Sequence, residues 1–563
     1  MFDFLLHALR STPEIAVFLA IALGVFIGRI HLGSFHLGSV AGALLMGLLI
    51  GQIGLEVPSG LKTVFFVLFI YAVGFKSGPE FFGSLNRGTF KLVLVSVMLC
   101  ATALGCILLM ATLYGFDAGF TAGLGAGALT DTAIMGTATS AINQLAIDSA
   151  AKAQLNSHMA IAYAITYLFG TIGLIVFVGT VAPKLLGVDL KASARELELA
   201  LGIANDEDAI TVPYTRIVVR AHRVVAGGEA DGVRIADIEA RHPSLTVERI
   251  VRAGQVIDRD PQLTLLAGDI VGVYALREAV GTLALWMGPE IDHPESLSFP
   301  TRQVDIVLTA AQFHGKTIHQ AKAQLGNLQG LGCFVNTVTR QGYELPLLPN
   351  TVLRRGDVIT LTGRTASVEA LAERLGRIRE SSYKSDIAMH GLGMVIGSLL
   401  GLLSTHIGMI PVELGIGGGV LVAALVIGWY NSRHPEIGAL PPAAQWAFSE
   451  FGLTAFGAVV GLLAGPAAIA AMKEQGMALL LSGAVVTIVP PLVALYFGRY
   501  VLRLHPMILF GALAGAQTEA ASMNKIIEQS GSNTPVIGFT VCYAISNVLL
   551  AVCGPIIVYV VAG

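Results

Sequence analysis

Long apolar stretches separated by short polar connections fill most of the chain. They lie near residues 14–30, 37–54, 61–75, 90–114, 119–146 and 158–182, then near 386–407, 412–430, 446–465, 476–498, 507–528 and 535–562. A helix needs about 20 apolar residues to cross a bilayer, with a range of about 17–25, and most of these stretches qualify. Residues 190–384 differ: they are charged, alternate as strands do in "RIVVRA" (216–221) and "DVITLTG" (357–363), and turn amphipathic over 366–379. The pattern predicts an α-helical polytopic membrane protein in four parts. These are a transmembrane repeat (1–189), two soluble α/β modules (190–287 and 288–384) and a second transmembrane repeat (385–563).

The two apolar halves match each other in order. "GALLMGLLIG" (42–51) pairs with "GVLVAALVIG" (419–428), and "SGP" (77–79) with "AGP" (464–466). "GLGAGALTDTA" (123–133) pairs with "GALAGAQTEAA" (511–521), and "YAIT" (163–166) with "YAIS" (543–546). Four matches in sequence point to a duplication. If 119–146 and 507–528 are re-entrant hairpins, each half crosses five times and the halves are inverted. Loop charge favours this arrangement. With the N-terminus outside, Arg29, Lys76, Arg87, Lys91, Lys184, Lys191, Arg433, Arg499, Arg503 and Lys525 fall inside, whereas Lys62, Lys152 and Lys473 fall in outer loops. The soluble modules are then cytoplasmic and both termini periplasmic.

Composition supports a bilayer protein: 54% of the 563 residues are hydrophobic and 13% charged, against about 25% charged in soluble domains, and mean hydropathy is +0.71. The net charge of −3 says nothing about nucleic-acid or acidic partners, and no nucleic-acid partner is expected of a membrane protein. The five cysteines show no metal-ligand or disulfide spacing, so no cofactor or metal is expected. The first apolar stretch lacks a basic leader and cleavage site and reads as a retained helix.

The chemistry concentrates at the hairpins. Glycine-rich broken helices at the membrane midplane are the pattern of secondary transporters, in which half-helix N-termini meet anionic groups. Thr130 and Thr518 are expected as N-caps, with Asp131 and Glu519 in the following first turn. Those acids are either helix-dipole partners or a site for a substrate ammonium, a cation or a proton. Thr132, Gln517, Ser522 and Asn524, together with Thr137 and Asn143, can read carboxylate and amino groups. Tyr163 and Tyr543 are repeat-equivalent substrate-contact candidates; Lys76 and His158 are weaker ones.

The soluble part is itself a tandem. "RIVRAGQVIDRDPQLTLLAGDIVGVYA" (249–275) parallels "CFVNTVTRQGYELPLLPNTVLRRGDVITLTG" (333–363), each closing on a Gly-Asp turn pair, Gly268-Asp269 and Gly356-Asp357. These modules look like TrkA C-terminal (RCK-C) domains, and the flanking halves, with "GALAGAQTEAASMN" and "YAISN", resemble the aspartate:alanine exchanger family of bacterial transporters. The resemblance implies a homodimer in the inner membrane that exchanges L-aspartate for L-alanine electrogenically; the cytoplasmic modules read either as a scaffold or dimer contact or as a sensor of a small regulatory ligand. Relatives that export dicarboxylates or glutamate make that an alternative substrate class. An RCK-gated ion channel or cation transporter would need a filter such as TVGYG, and an enzyme would need a catalytic cluster in 190–384; the sequence shows neither.

Overall fold

The computed structural model describes residues 2–29, 31–32, 35–36, 38–55, 57–84, 89–202, 217–242, 245–257, 259–276, 284–297, 301–325, 333–379, 384–407, 410–413, 415–435 and 437–562. Arg87 and Arg216, both used in reading the sequence, lie outside them. The chain parts into two units: 1–197 with 381–563, and 198–380.

The first unit is helical. Its first half contains α1 (Phe2–Ser11), α2 (Pro13–Gly28), α3 (Ser39–Gly51), α4 (Ser59–Ser84), α5 (Phe90–Tyr114), α6 (Ala118–Ala128), α7 (Thr132–Gln144) and α8 (Ser149–Val176). Its second half contains α9 (Ile387–Gly401), α10 (Gly415–Asn431), α11 (Pro442–Tyr496), α12 (Pro506–Ala516), α13 (Ala520–Ser530) and α14 (Val536–Ala562). Among the described residues, five helical segments are long and apolar enough to span a bilayer: 60–84, 90–114, 149–186, 442–501 and 536–562. The apolar stretches at 37–54 and 386–407 form shorter helices. A two-stranded ribbon follows α2 (His31–Leu32 with Phe35–His36), and another follows α9 (Ser404–Ile407 with Ile410–Glu413). The plan of the two halves therefore repeats even where the helices are short.

Glycines set how closely these helices meet. A Cβ on Gly74 or Gly78 of α4 would stand 2.9 and 2.2 Å from the Leu421 and Leu425 carbonyl oxygens of α10. The matching Gly461 and Gly465 of α11 bring the same closeness to α3, at Leu44 and Gly51. Thus α4 of the first half packs on α10 of the second, α11 of the second packs on α3 of the first, and the two halves interlock.

One connection differs from expectation. The stretches 446–465 and 476–498 were expected to be separate crossings, but α11 runs unbroken over 55 residues. At about 1.5 Å per residue it is about 80 Å long, far beyond the roughly 30 Å of a hydrocarbon core. The intervening "AAIAAMKEQGM" (467–477) is rich in strong helix formers, so Pro466 and the local charge do not break the helix. Lys62 and Lys152, expected in loops, sit in the first turns of α4 and α8.

The second unit holds two five-stranded antiparallel sheets. The first comprises β1 (Ile217–Arg223), β2 (Leu245–Arg252), β3 (Gln255–Ile257), β4 (Ile270–Leu276) and β5 (Glu290–Ile291). The second comprises β6 (Thr301–Leu308), β7 (Cys333–Arg340), β8 (Tyr343–Glu344), β9 (Val358–Arg364) and β10 (Gly376–Ile378). Their strand orders, β3-β2-β4-β1-β5 and β8-β7-β9-β6-β10, are the same. The Gly-Asp signature proves to be half of an ion pair. Asp269 takes Arg252 bidentately at 2.8 and 2.7 Å, and Asp357 takes Arg340 at 2.8 and 2.8 Å. Each carboxylate is 1% exposed and also accepts a backbone N–H three residues earlier, from Leu266 or Arg354. The Asp269 carboxylate holds the Arg252 guanidinium above its usual range.

A methyl group on Gly511 would lie 1.9 Å from the Pro535 carbonyl oxygen, whereas one on Gly391 meets nothing within 4 Å. Gly511→Ala is therefore expected to destabilise the purified protein by about 1–3 kcal/mol, read as a fall in its melting temperature, and Gly391→Ala to leave that temperature unchanged.

Candidate functional site

Both predicted hairpins are present as broken helices. In the first, α6 ends at Ala128 and α7 begins at Thr132; in the second, α12 ends at Ala516 and α13 begins at Ala520. With 11 residues each, α6 and α12 span about 17 Å, roughly half a hydrocarbon core. They lie flat against their partners because of their glycines. Gly119 and Gly123 of α6 face the carbonyls of Leu155 and Met159 on α8, and Gly511 and Gly515 of α12 face those of Pro535, just before α14, and Phe539 on α14.

The caps are not the expected ones. Thr130 and Thr518 stand at φ +55° and +56°, in the left-handed region that β-branched residues avoid. Asp131 and Glu519 are the N-caps. The Asp131 carboxylate accepts the Ala133 N–H at 2.8 Å and the Ile134 N–H at 3.4 Å, and Glu519 accepts the Ala521 N–H at 3.1 Å. The acids therefore fill the helix N-termini that the sequence suggested would greet a substrate anion. A carboxylate outcompetes a hydroxyl for these donors because the bond is charge-assisted and meets the positive end of the helix dipole.

Released from capping, Thr130 turns to the opposite half. The Thr130 hydroxyl donates to the Gln517 carbonyl oxygen at 2.9 Å, joining the tip of the first hairpin to the tip of the second, and it interacts with the Glu519 carboxylate. Thr487 of α11 donates to the Ala128 carbonyl at 3.2 Å, and Gln517 donates to the Thr487 carbonyl at 3.5 Å. Tip carbonyls left open by the breaks at Ala128 and Gln517 are thus met by hydroxyls from the opposite half.

Polar atoms without a partner gather here. Asp131 is 3% exposed, with Oδ2 unpaired; Gln517 Oε1 and Ser522 Oγ are buried and unpaired. Thr132 and Tyr163 share a hydrogen bond at 3.3 Å, and the Tyr167 ring lies 5.2 Å from that of Tyr163. Thr518 and Glu519 are half-buried, which leaves the second acid the more accessible. Asn524 is exposed on α13, and Tyr543, half-buried, stacks on Phe539 at 5.3 Å. The structure therefore gathers Thr130, Asp131, Thr132, Tyr163, Gln517, Thr518 and Glu519, with Ser522 one turn into α13. Sequence reading missed Thr487, which sits in an apolar stretch with no motif around it. His158 pairs with Asp117, the cap of α6, at 2.5 Å and stacks on Phe120, a structural clasp on the hairpin. Among the described residues no group of His, Cys, Asp and Glu could hold a metal ion.

Interlocked helical halves with two broken hairpins and a buried polar centre define a polytopic membrane transporter. The chain belongs to the aspartate:alanine exchanger family. A family model described as a predicted permease membrane region matches residues 16–183 and 389–559, and a TrkA-C domain model matches 219–288. The chain is 38% identical over 560 residues to an uncharacterized transporter of Zymomonas mobilis, covering 99% of each chain. It is 40% identical over 563 residues to one of Bordetella parapertussis and 40% identical over 553 residues to one of Bradyrhizobium diazoefficiens, covering 98% of each chain in both cases. No solved structure matches it.

Asp131→Asn keeps a side chain that caps as well as Asp, whereas Asp131→Ala removes the cap at a cost of about 1 kcal/mol. The Asn variant is expected to melt with the wild type and lose transport; the Ala variant is expected to melt lower. Equal activity of wild type and Asn variant would assign Asp131 to capping alone.

Proposed function

We propose that the protein exchanges L-aspartate for L-alanine across the bacterial inner membrane, electrogenically, through the paired hairpin tips. The observation that carries this reading is the filling of both half-helix N-termini by the chain's own carboxylates. The tips then present acceptors rather than bare donors: Asp131 Oδ2, Gln517 Oε1 and the half-buried Glu519 carboxylate. Acceptors of that kind suit the α-ammonium that aspartate and alanine share. The hydroxyls of Thr518, Ser522 and Tyr163 can donate to the α-carboxylate. A plain dicarboxylate would bring two negative charges towards two carboxylates with no ammonium to offset them, so this arrangement favours an amino acid.

The positive-inside distribution of Lys and Arg supports cytoplasmic modules and a periplasmic N-terminus. The interlocked helices α2–α4 and α9–α10 suit a scaffold for a homodimer, against which the hairpins with α5, α8 and α14 move. The two sheet modules, each tied by an Arg–Asp pair whose carboxylate is buried, suit a regulatory ligand-binding role.

In proteoliposomes, labelled aspartate is expected to enter vesicles loaded with aspartate or alanine and not unloaded ones. Glu519→Gln, which keeps the shape and removes the charge, is expected to lower that uptake about tenfold or more. Wild-type uptake without internal amino acid would exclude obligate exchange, and undiminished uptake by Glu519→Gln would remove the ammonium role.

A further inference from the structure

A second polar cluster lies at the far end of α7. Lys62, on α4, is 8% exposed, and its ammonium meets the Asn156 Oδ1 of α8 at 3.3 Å. The Asn156 amide continues to the Asn143 side chain at 3.5 Å and to the Lys152 carbonyl at 2.8 Å. Lys152 reaches the Asn143 carbonyl, at the C-terminal end of α7, at 2.8 Å. Among the described residues no carboxylate pairs with Lys62. Asp148, the nearest acid in sequence to Lys152, is spent capping α8 through the Ala151 N–H.

A buried ammonium held by a neutral amide is costly in a membrane protein, and such groups usually serve a function. Its placement adds to the cost. Lys62 is the fourth residue of α4 and Lys152 the fourth of α8, where the helix dipole disfavours a cation. Two lysines and two helix N-termini thus converge, while the carbonyl bonded by Lys152 offsets one of them. The duplication does not demand this cluster. By the matched Gly74 and Gly461, Ser449 stands where Lys62 does; by the matched Tyr163 and Tyr543, Val536 stands where Asn156 does. One turn beyond Lys62, Phe66 lies directly over Gly136 of α7, so the cluster sits at the end of the seam between α4 and the first hairpin. Asn143 is exposed and Lys152 half-buried, which leaves a way in.

We propose that Lys62, with Asn156 and Asn143 around it, is a carboxylate-binding station at the mouth of this seam. It holds an anionic solute about 16 Å along α7 from the hairpin tips. It deepens the exchange reading by naming where a small dicarboxylate is first held, and it rests on that reading only for the identity of the solute. The side-chain carboxylate of aspartate gives it a claim on the station that alanine lacks.

The test is thermal denaturation of the purified full chain with added L-aspartate, succinate or L-alanine. Aspartate and succinate are expected to raise the wild-type melting temperature in a saturable way. Lys62→Gln is expected to raise their apparent Kd about tenfold, more than that of alanine, and Lys62→Arg to keep it near wild type. Asn156→Asp places a carboxylate against the ammonium; it is expected to melt at or above the wild type without ligand and to lose the dicarboxylate shift. The proposal is overturned if no dicarboxylate stabilises the wild type, or if Lys62→Gln and Asn156→Asp respond as the wild type does. Stabilisation through Lys62 in a protein that fails counterflow would leave this station standing and remove the exchange reading instead.

Discussion

A helix broken inside a bilayer frees backbone groups that lipid cannot satisfy, and meeting that demand organises the membrane unit. At each break the next helix starts under an acidic cap, and the preceding turn folds back through its own carbonyls. Asp131 N–H bonds to the Ala126 carbonyl and Glu519 N–H to that of Ala514. The remaining tip carbonyls, Ala128 and Gln517, are met by Thr487 and Thr130. Neither hairpin completes its own hydrogen bonding, so each needs the other half. The left-handed threonines at 130 and 518 are the backbone cost of this arrangement.

The glycines follow from the same demand. A half-helix can stay at membrane depth only if protein surrounds it, and the flat faces of α6 and α12 let α8 and α14 approach to backbone contact. The same device joins α4 to α10 and α11 to α3. This crossed pairing is what a duplicated gene product needs to make one body rather than two. Around the hairpins this leaves a polar centre with three buried oxygens unpaired, those of Asp131, Gln517 and Ser522, on which the proposed exchange would draw.

Much of this was legible in the sequence. The matched Thr-acid pairs at 130–131 and 518–519 marked the breaks, and the Gly-Asp pairs marked the two soluble modules. The caps were misassigned by one position because Thr and Asp are both good caps, and only the left-handed turn at Thr130 decides between them. Arg252 and Arg340 escaped notice because an ion-pair partner 17 residues away across a sheet leaves no local pattern. Thr487 escaped because its donation to Ala128 is a tertiary contact. The continuity of α11 shows the limit of hydropathy: it reports where lipid contact is favourable and not whether the chain turns between two such stretches.

The central claim is that the two hairpin tips form one site. In a background free of the five native cysteines, Thr130→Cys combined with Thr518→Cys would be treated with a short thiol-bridging reagent in native membranes, with intrachain bridging followed by loss of free thiols. Rapid cross-linking within one chain is expected. Two cysteines that react singly but never bridge would contradict it, since tips that far apart could not complete each other's hydrogen bonds.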